Sequence, residues 1–166
     1  MIQSISHSRL LELADEWLRA GKRVIGPAAV RQDLCLYAPI VASGQLVLDG
    51  VVHPANSIKE IFFPRHESIY RYRFTGQALE LEDCEPPAAG QVVLGARPCD
   101  AAALPILDEV FTWDVPDKFY CQRREATTVV TVACAAWDDD CFCTSVGLGP
   151  AAEQGSDALL LPCGGG

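Results

Sequence analysis

Residues 91–111, "QVVLGARPCDAAALPILDEVF", decide the fold class. The run 91–96 is short and apolar, the pattern of a strand buried on both faces. "RPCD" follows at its carboxyl end, and the remainder reads as a helix with Asp100 as its N-cap. Pro105 removes a backbone donor one turn in, which predicts a kink or a late helix start. The chain then continues in the same rhythm. "DKFYCQRREA" (117–126) reads as a second short helix, "TTVVTVAC" (127–134) as a β-branched strand ending at Cys134, and "DALLL" (157–161) as a last strand. The expected class is α/β, a mixed sheet with a parallel portion in the second half and helices packed on it. Cysteine-rich loops would lie at the strand carboxyl ends, where open α/β sheets bind ligands.

Upstream, "SRLLELADEWLRAGKRVIG" (8–26) places Leu10, Leu11, Ala14, Trp17 and Leu18 at helical spacing. Ser8 is the expected cap and Gly21 the expected stop, with "RVIG" as a short strand after it. "LCLYAPI" and "QLVLDG" read as two strands of a hairpin turning at Ser43-Gly44. Ser57 to Phe63 reads as a short helix stopped before Pro64, and Ile69 to Phe74 as an alternating strand. Arg65, Arg71 and Arg73 make this the one locally basic segment, either a solvated strand face or a seat for an acidic partner. "DCEPPAAG" (83–90) is the expected sub-boundary within one α/β domain spanning 1–166.

The chain has 166 residues, 49% hydrophobic and 21% charged, enough for a substantial core. A net charge of −9 argues against a nucleic-acid or anionic-membrane partner. No apolar run reaches the ~18–20 residues of a membrane helix. The N-terminal stretch carries acids early and lacks a continuous apolar core, unlike a secretory signal. The expected location is the cytoplasm.

Eight cysteines are unusual there, because that compartment disfavours disulfides and clustered thiols more often bind metal or do redox chemistry. Cys99 lies just past one strand and Cys134 closes the next. If those strands are neighbours, both thiols reach one rim, and "AAWDDDCFC" (135–143) can fold back to add Cys141 and Cys143. Four thiolates suit Zn²⁺ or an iron–sulfur cluster. Positions 99, 134, 141 and 143 are separated by 35, 7 and 2 residues, which is neither the paired rhythm of structural zinc nor a bacterial ferredoxin run. A cubane, being larger than an ion, tolerates ligands from separate loops more easily. Gly147 and Gly149 would let backbone N–H groups approach inorganic sulfide. A structural zinc scaffold with the same four cysteines and a thiol-redox enzyme using Cys141 or Cys143 remain as alternatives. Cys35 reads as a strand-buried small residue. Cys84 and Cys121 read as unligated, and Cys163 as a loose thiol or an additional ligand. Asp138 to Asp140 read as a solvated loop tip, and His7, His53 and His66 show no paired ligand spacing.

"VVLGARPCDAAALPILDEVF", "DKFYCQRREATTVVTVAC" and "CFCTSVGLGP", with "SIKEIFFPRHESIYRYRF" upstream, resemble the iron–sulfur β subunits of cytosolic sulfhydrogenases and their counterparts in anaerobic sulfite reductase. The resemblance spans roughly residues 55–150. It implies an electron-transfer component of an anaerobic, multi-subunit oxidoreductase, docked against flavin-containing and terminal catalytic subunits rather than performing the terminal catalysis. It implies Cys99, Cys134, Cys141 and Cys143 as ligands of a [4Fe–4S] cluster, with Arg97 and Asp100 supporting them from behind, to which the residue reading above adds Gly147. Longer members of that family continue into a ferredoxin-like region with two further cysteine motifs. This chain has no counterpart of it, so the remaining relay is expected from partners or from further chain.

Overall fold

The computed structural model describes residues 4–50, 53–85 and 90–163. Among them, seven strands form two sheets, one of five strands in the order β2-β1-β5-β6-β7 and one two-stranded ribbon, β3-β4. In chain order the large sheet holds β1 (Arg23–Arg31), β2 (Leu34–Pro39), β5 (Gln91–Ala96), β6 (Thr127–Val132) and β7 (Ala158–Leu160). β1 and β2 are antiparallel, whereas β1-β5, β5-β6 and β6-β7 are all parallel. The expected mixed sheet with its parallel portion is therefore present.

β5 lies inside the parallel part, and all six of its residues are buried. From Val92 to Leu94 its side chains alternate between two cores, as strand geometry demands, and the irregularity at Gly95 returns Ala96 to the Val93 face. Val93 and Ala96 join Ile25, Val129, Ile58, Phe62, Leu104 and Tyr120 on one face. That face is covered by α2 (Lys59–Phe62), α4 (Leu104–Thr112) and α5 (Lys118–Glu125). Val92 and Leu94 join Leu10, Ala14 and Val130 on the other, under α1 (His7–Arg19).

Several local expectations change. Ser6, not Ser8, caps α1, its hydroxyl accepting the Arg9 amide at 3.2 Å, and the helix ends just before Gly21. "RVIG" extends to a nine-residue strand, because the parallel pairing with β5 ends at Ile25 and Pro27 is not asked to donate to it. That longer β1 takes β2 as its hairpin partner. Residues 45–50 therefore form no strand. Ser43–Gln45 is a 3-10 turn, and Leu46 and Leu48, whose alternation reads as a strand, pack onto the α1-side core instead. The short helix ahead of Pro64 is α2, as expected, and the strand 70–75 (β3) gains an unforeseen partner, β4 (Ala78–Asp83). Within the expected sub-boundary, residues 86–89 lie outside the described residues.

A tie between α1 and the 3-10 turn gives the acid response a sign. Asp15 accepts the Ser43 amide and hydroxyl, both at 2.8 Å, and these hydrogen bonds hold its carboxyl below the usual range. A depressed folded value means stability is present above the unfolded value, about 3.9, and lost as pH falls through the folded one. The melting-temperature gap between wild type and Asp15→Ala should be full at pH 7 and shrink as pH falls below about 4. Thermal melts across pH check this.

Candidate metal centre

The β5 strand ends in an irregularity between Leu94 and Ala96, after which Arg97 caps the short helix α3 (Pro98–Ala101). Pro98 opens that helix, where its missing N–H costs nothing. Cys99 is the next residue, so it sits at the carboxyl end of β5. Asp100 is not the N-cap. It lies inside α3, where Ser57 donates to its carboxylate at 2.5 Å and Tyr37 adds a further hydrogen bond. Tyr37 Oη also accepts the Arg97 amide at 3.0 Å, so β2 grips both residues flanking Pro98-Cys99. Burial pushes the Asp100 carboxyl up, opposed by Ser57, Lys59, Tyr37 and His53. Pro105 produces the late start foreseen for it: α3 ends at Ala101 and α4 begins at Leu104.

Cys134 follows β6 by two residues. Because β5 and β6 are neighbouring and parallel, Ala96 standing beside Thr131, Cys99 and Cys134 share one rim. α3 packs directly on β6. The connection from β6 to β7 runs from 133 to 157 and contains a single 3-10 turn, Cys143–Val146. Parallel crossovers usually use an α-helix. Here an exposed irregular loop takes that place, and it carries Cys141 and Cys143. The loop is pinned by Cys134 N–H to Pro150 O at 2.9 Å and Leu148 N–H to Cys143 O at 2.9 Å. Gly147 closes the turn in the left-handed region, φ 76°, with its N–H turned toward the Cys143 and Thr144 carbonyls. That N–H serves the loop itself.

The charges report which thiols are near one another. Burial pushes the Cys134 thiol up, Arg97 opposes this, and Cys141 and Cys143 add to it. Burial also pushes Cys99 up, reinforced by Asp100 and Cys134. Cys134 thus lies within electrostatic reach of the other three and of the Arg97 guanidinium. The four do not close into a cage. Among the described residues the one His/Cys/Asp/Glu group with ligand atoms all within 4.8 Å is His53, Asp138 and Asp140. Thiolate sulfurs are soft donors, the type that soft metal ions prefer.

Asp138, expected to be a solvated tip, is instead tethered. His53 Nε2 stands 3.1 Å from its carboxylate, and the Cys141 thiol donates to it at 3.4 Å. Burial would raise Asp138, but the Cys141 thiol, the Asp140 amide and His53 outweigh it and hold the carboxyl down. His53, Tyr37 and Ser57 are the supporting residues that sequence reading missed. Their partners lie 43 to 85 positions away, so no local spacing betrays them. Of the remaining thiols, Cys35 is half-buried in β2, where burial pushes it up and the Arg97 charge opposes this, Cys84 is half-buried after β4, Cys121 packs beside the α5-side core, and Cys163 is exposed.

With the geometry in place, comparison with known proteins adds one relation. Over 75 residues the chain is 37% identical to the sulfhydrogenase 2 subunit beta of Pyrococcus furiosus. The likeness supports a sulfhydrogenase-related family. It covers 44% of this chain and 22% of that relative, so the chain matches about a fifth of the relative's length. No family model matches the chain, and no solved structure matches it significantly. Among the described residues no helix is long and apolar enough to cross a membrane.

Proposed function

We propose that the chain is an iron–sulfur electron-transfer subunit, or part of one, in a cytoplasmic oxidoreductase complex, with Cys99, Cys134, Cys141 and Cys143 holding a [4Fe–4S] cluster. The observation that carries this reading is the delivery of two thiols to one rim by neighbouring parallel strands, with a Cys-x-Cys crossover beside them. When bound, the cluster supplies reversible one-electron transfer. The chain's own residues would set the conditions. Arg97 offsets thiolate charge beside Cys134, the Ser57–Asp100–Tyr37 contacts fix α3 and hence Cys99, and the turn closed by Gly147 orients Cys143. Flavin-containing and terminal catalytic partners would supply and consume the electrons. The likeness to a sulfhydrogenase component favours such a complex over an enzyme acting alone.

A structural zinc site on the same four cysteines is the second reading, favoured only by the donor type. Zinc at about 2.3 Å from each sulfur needs sulfurs roughly 3.8 Å apart. Among the described residues no three of these cysteines approach that closely. A wider inorganic core asks for less closure.

Anaerobically prepared protein should be brown and contain iron and sulfide. Dithionite should bleach its visible absorption and produce a paramagnetic signal. Colourless protein with one zinc per chain, silent to dithionite, overturns the reading.

A further inference from the structure

The β3-β4 ribbon belongs to neither core. Every residue of both strands is exposed. Its register sorts the side chains cleanly. Arg71 stands opposite Glu82 and Arg73 opposite Glu80, so the reverse face sets opposite charges against each other, and Arg65 of the same basic stretch pairs with Glu60. On the front face Tyr72 stands opposite Leu81 and Phe74 opposite Leu79, with Tyr70 opposite Asp83. The Tyr72 and Phe74 rings meet edge-on at 5.9 Å, confirming that they share that face. Its five apolar side chains are between 53 and 70% exposed.

A two-stranded ribbon alone in water is marginal, because it lacks a covered apolar face. Monomers seldom leave such a contiguous patch open. We propose that this face packs against the same face of a second copy of the chain, related by a two-fold axis. Three features favour that occupant. Firstly, the face is self-complementary: β3 carries the aromatics and β4 the leucines, so two-fold packing seats each aromatic row on the opposing leucine row. Secondly, the area suffices. Aromatic side chains offer about 150–250 Å² each, so three of them and two leucines at these exposures leave roughly 500–600 Å² per copy. Two copies then cover about 1,000–1,200 Å², the lower bound of a specific interface, which implies a micromolar dimer. Thirdly, the front face carries a single charge, Asp83 opposite Tyr70 at one end of the apolar rows, so direct repulsion between twins is confined to that end. The net charge of −9 on each chain still opposes association at longer range. Salt screens that repulsion and leaves apolar burial intact, so the dimer tightens with ionic strength.

Sedimentation of the full chain under reductant, over a concentration series, tests this. The wild type should show a monomer–dimer equilibrium in the micromolar range that tightens severalfold between about 0.05 and 0.5 M salt. Tyr72→Ser with Phe74→Ser should weaken it at least about tenfold, while Arg71→Gln on the reverse face should leave it unchanged. Circular dichroism of the double variant should match wild type, and so should its melting at concentrations well below the dimer's dissociation constant, since the ribbon stands off both cores. A wild type that stays monomeric to about 100 μM overturns the proposal. A dimer that survives the double variant, that Arg71→Gln breaks, or that salt dissociates overturns it as well.

Discussion

Replacing Cys99, Cys134, Cys141 or Cys143 singly by serine should remove or convert the visible absorption of anaerobically prepared protein, while Cys35→Ser and Cys84→Ser should preserve it. A serine oxygen is a harder, more weakly coordinating donor than a thiolate, and iron in a sulfide core prefers sulfur. Even residues that only orient ligands change metal affinity by about 10–100-fold. Loss of a ligand should exceed that. Iron and sulfide content, with the dithionite response, read the outcome directly. The controls are distinct in position: Cys35 lies in β2 at the antiparallel edge, and Cys84 follows the exposed ribbon strand β4. Because the thiols must lose protons to bind and binding is coupled to folding, the four ligand variants should also melt below the loaded wild type. Full occupancy in Cys99→Ser would remove α3 from the centre and leave the crossover loop to find its fourth ligand elsewhere.

What the sequence disclosed and what it withheld follows the reach of each interaction. β5 and β6 were legible because both are short β-branched runs, and burial on two faces demands that composition. The break at Pro105 was legible because a missing N–H is a local fact. Asp100 as an N-cap was a reasonable local inference that failed for a tertiary reason: Ser57 and Tyr37 reach its carboxylate from distant segments. The hairpin assigned to residues 45–50 failed differently. Leu46 and Leu48 alternate like a strand, yet the antiparallel partner of β2 had already been taken by a β1 that continued through Pro27. Placing Cys99 and Cys134 on one rim required only that β5 and β6 be neighbours, and they are. How closely the Cys141–Cys143 loop approaches them depends on contacts such as His53 to Asp138, which span 85 positions and leave no mark in the spacing.

Gly155→Ala should be the most damaging single-methyl change outside the cysteines. Gly155 has φ +72°, a conformation L side chains rarely adopt, and an added Cβ would stand 1.9 Å from the Ala101 carbonyl oxygen. The Ala101 carbonyl carbon at 2.7 Å and the Pro105 ring at 3.1 Å close the remaining space. The nearest obstacle is backbone and the third atom belongs to a ring, so neither yields as a flexible side chain would. Combining backbone strain with overpacking gives a cost of roughly 2–5 kcal/mol. For a chain of this size each 1 kcal/mol moves the melting temperature by about 2–4 °C, so a drop near 10 °C is expected. Gly149→Ala is the control, since no atom lies within 4 Å of its added Cβ and its φ is ordinary. It should stay within about 0.5 kcal/mol of wild type. The position also matters for the metal centre. Ala101 is two residues after Cys99 on α3, and Gly155 lies near the end of the crossover that carries Cys141 and Cys143. Gly155 is therefore where the crossover seats against the helix bearing Cys99. Forcing the two apart should lower iron occupancy as well as the melting temperature, whereas a purely global destabilisation would lower the melting temperature and leave occupancy of the folded protein intact at 4 °C.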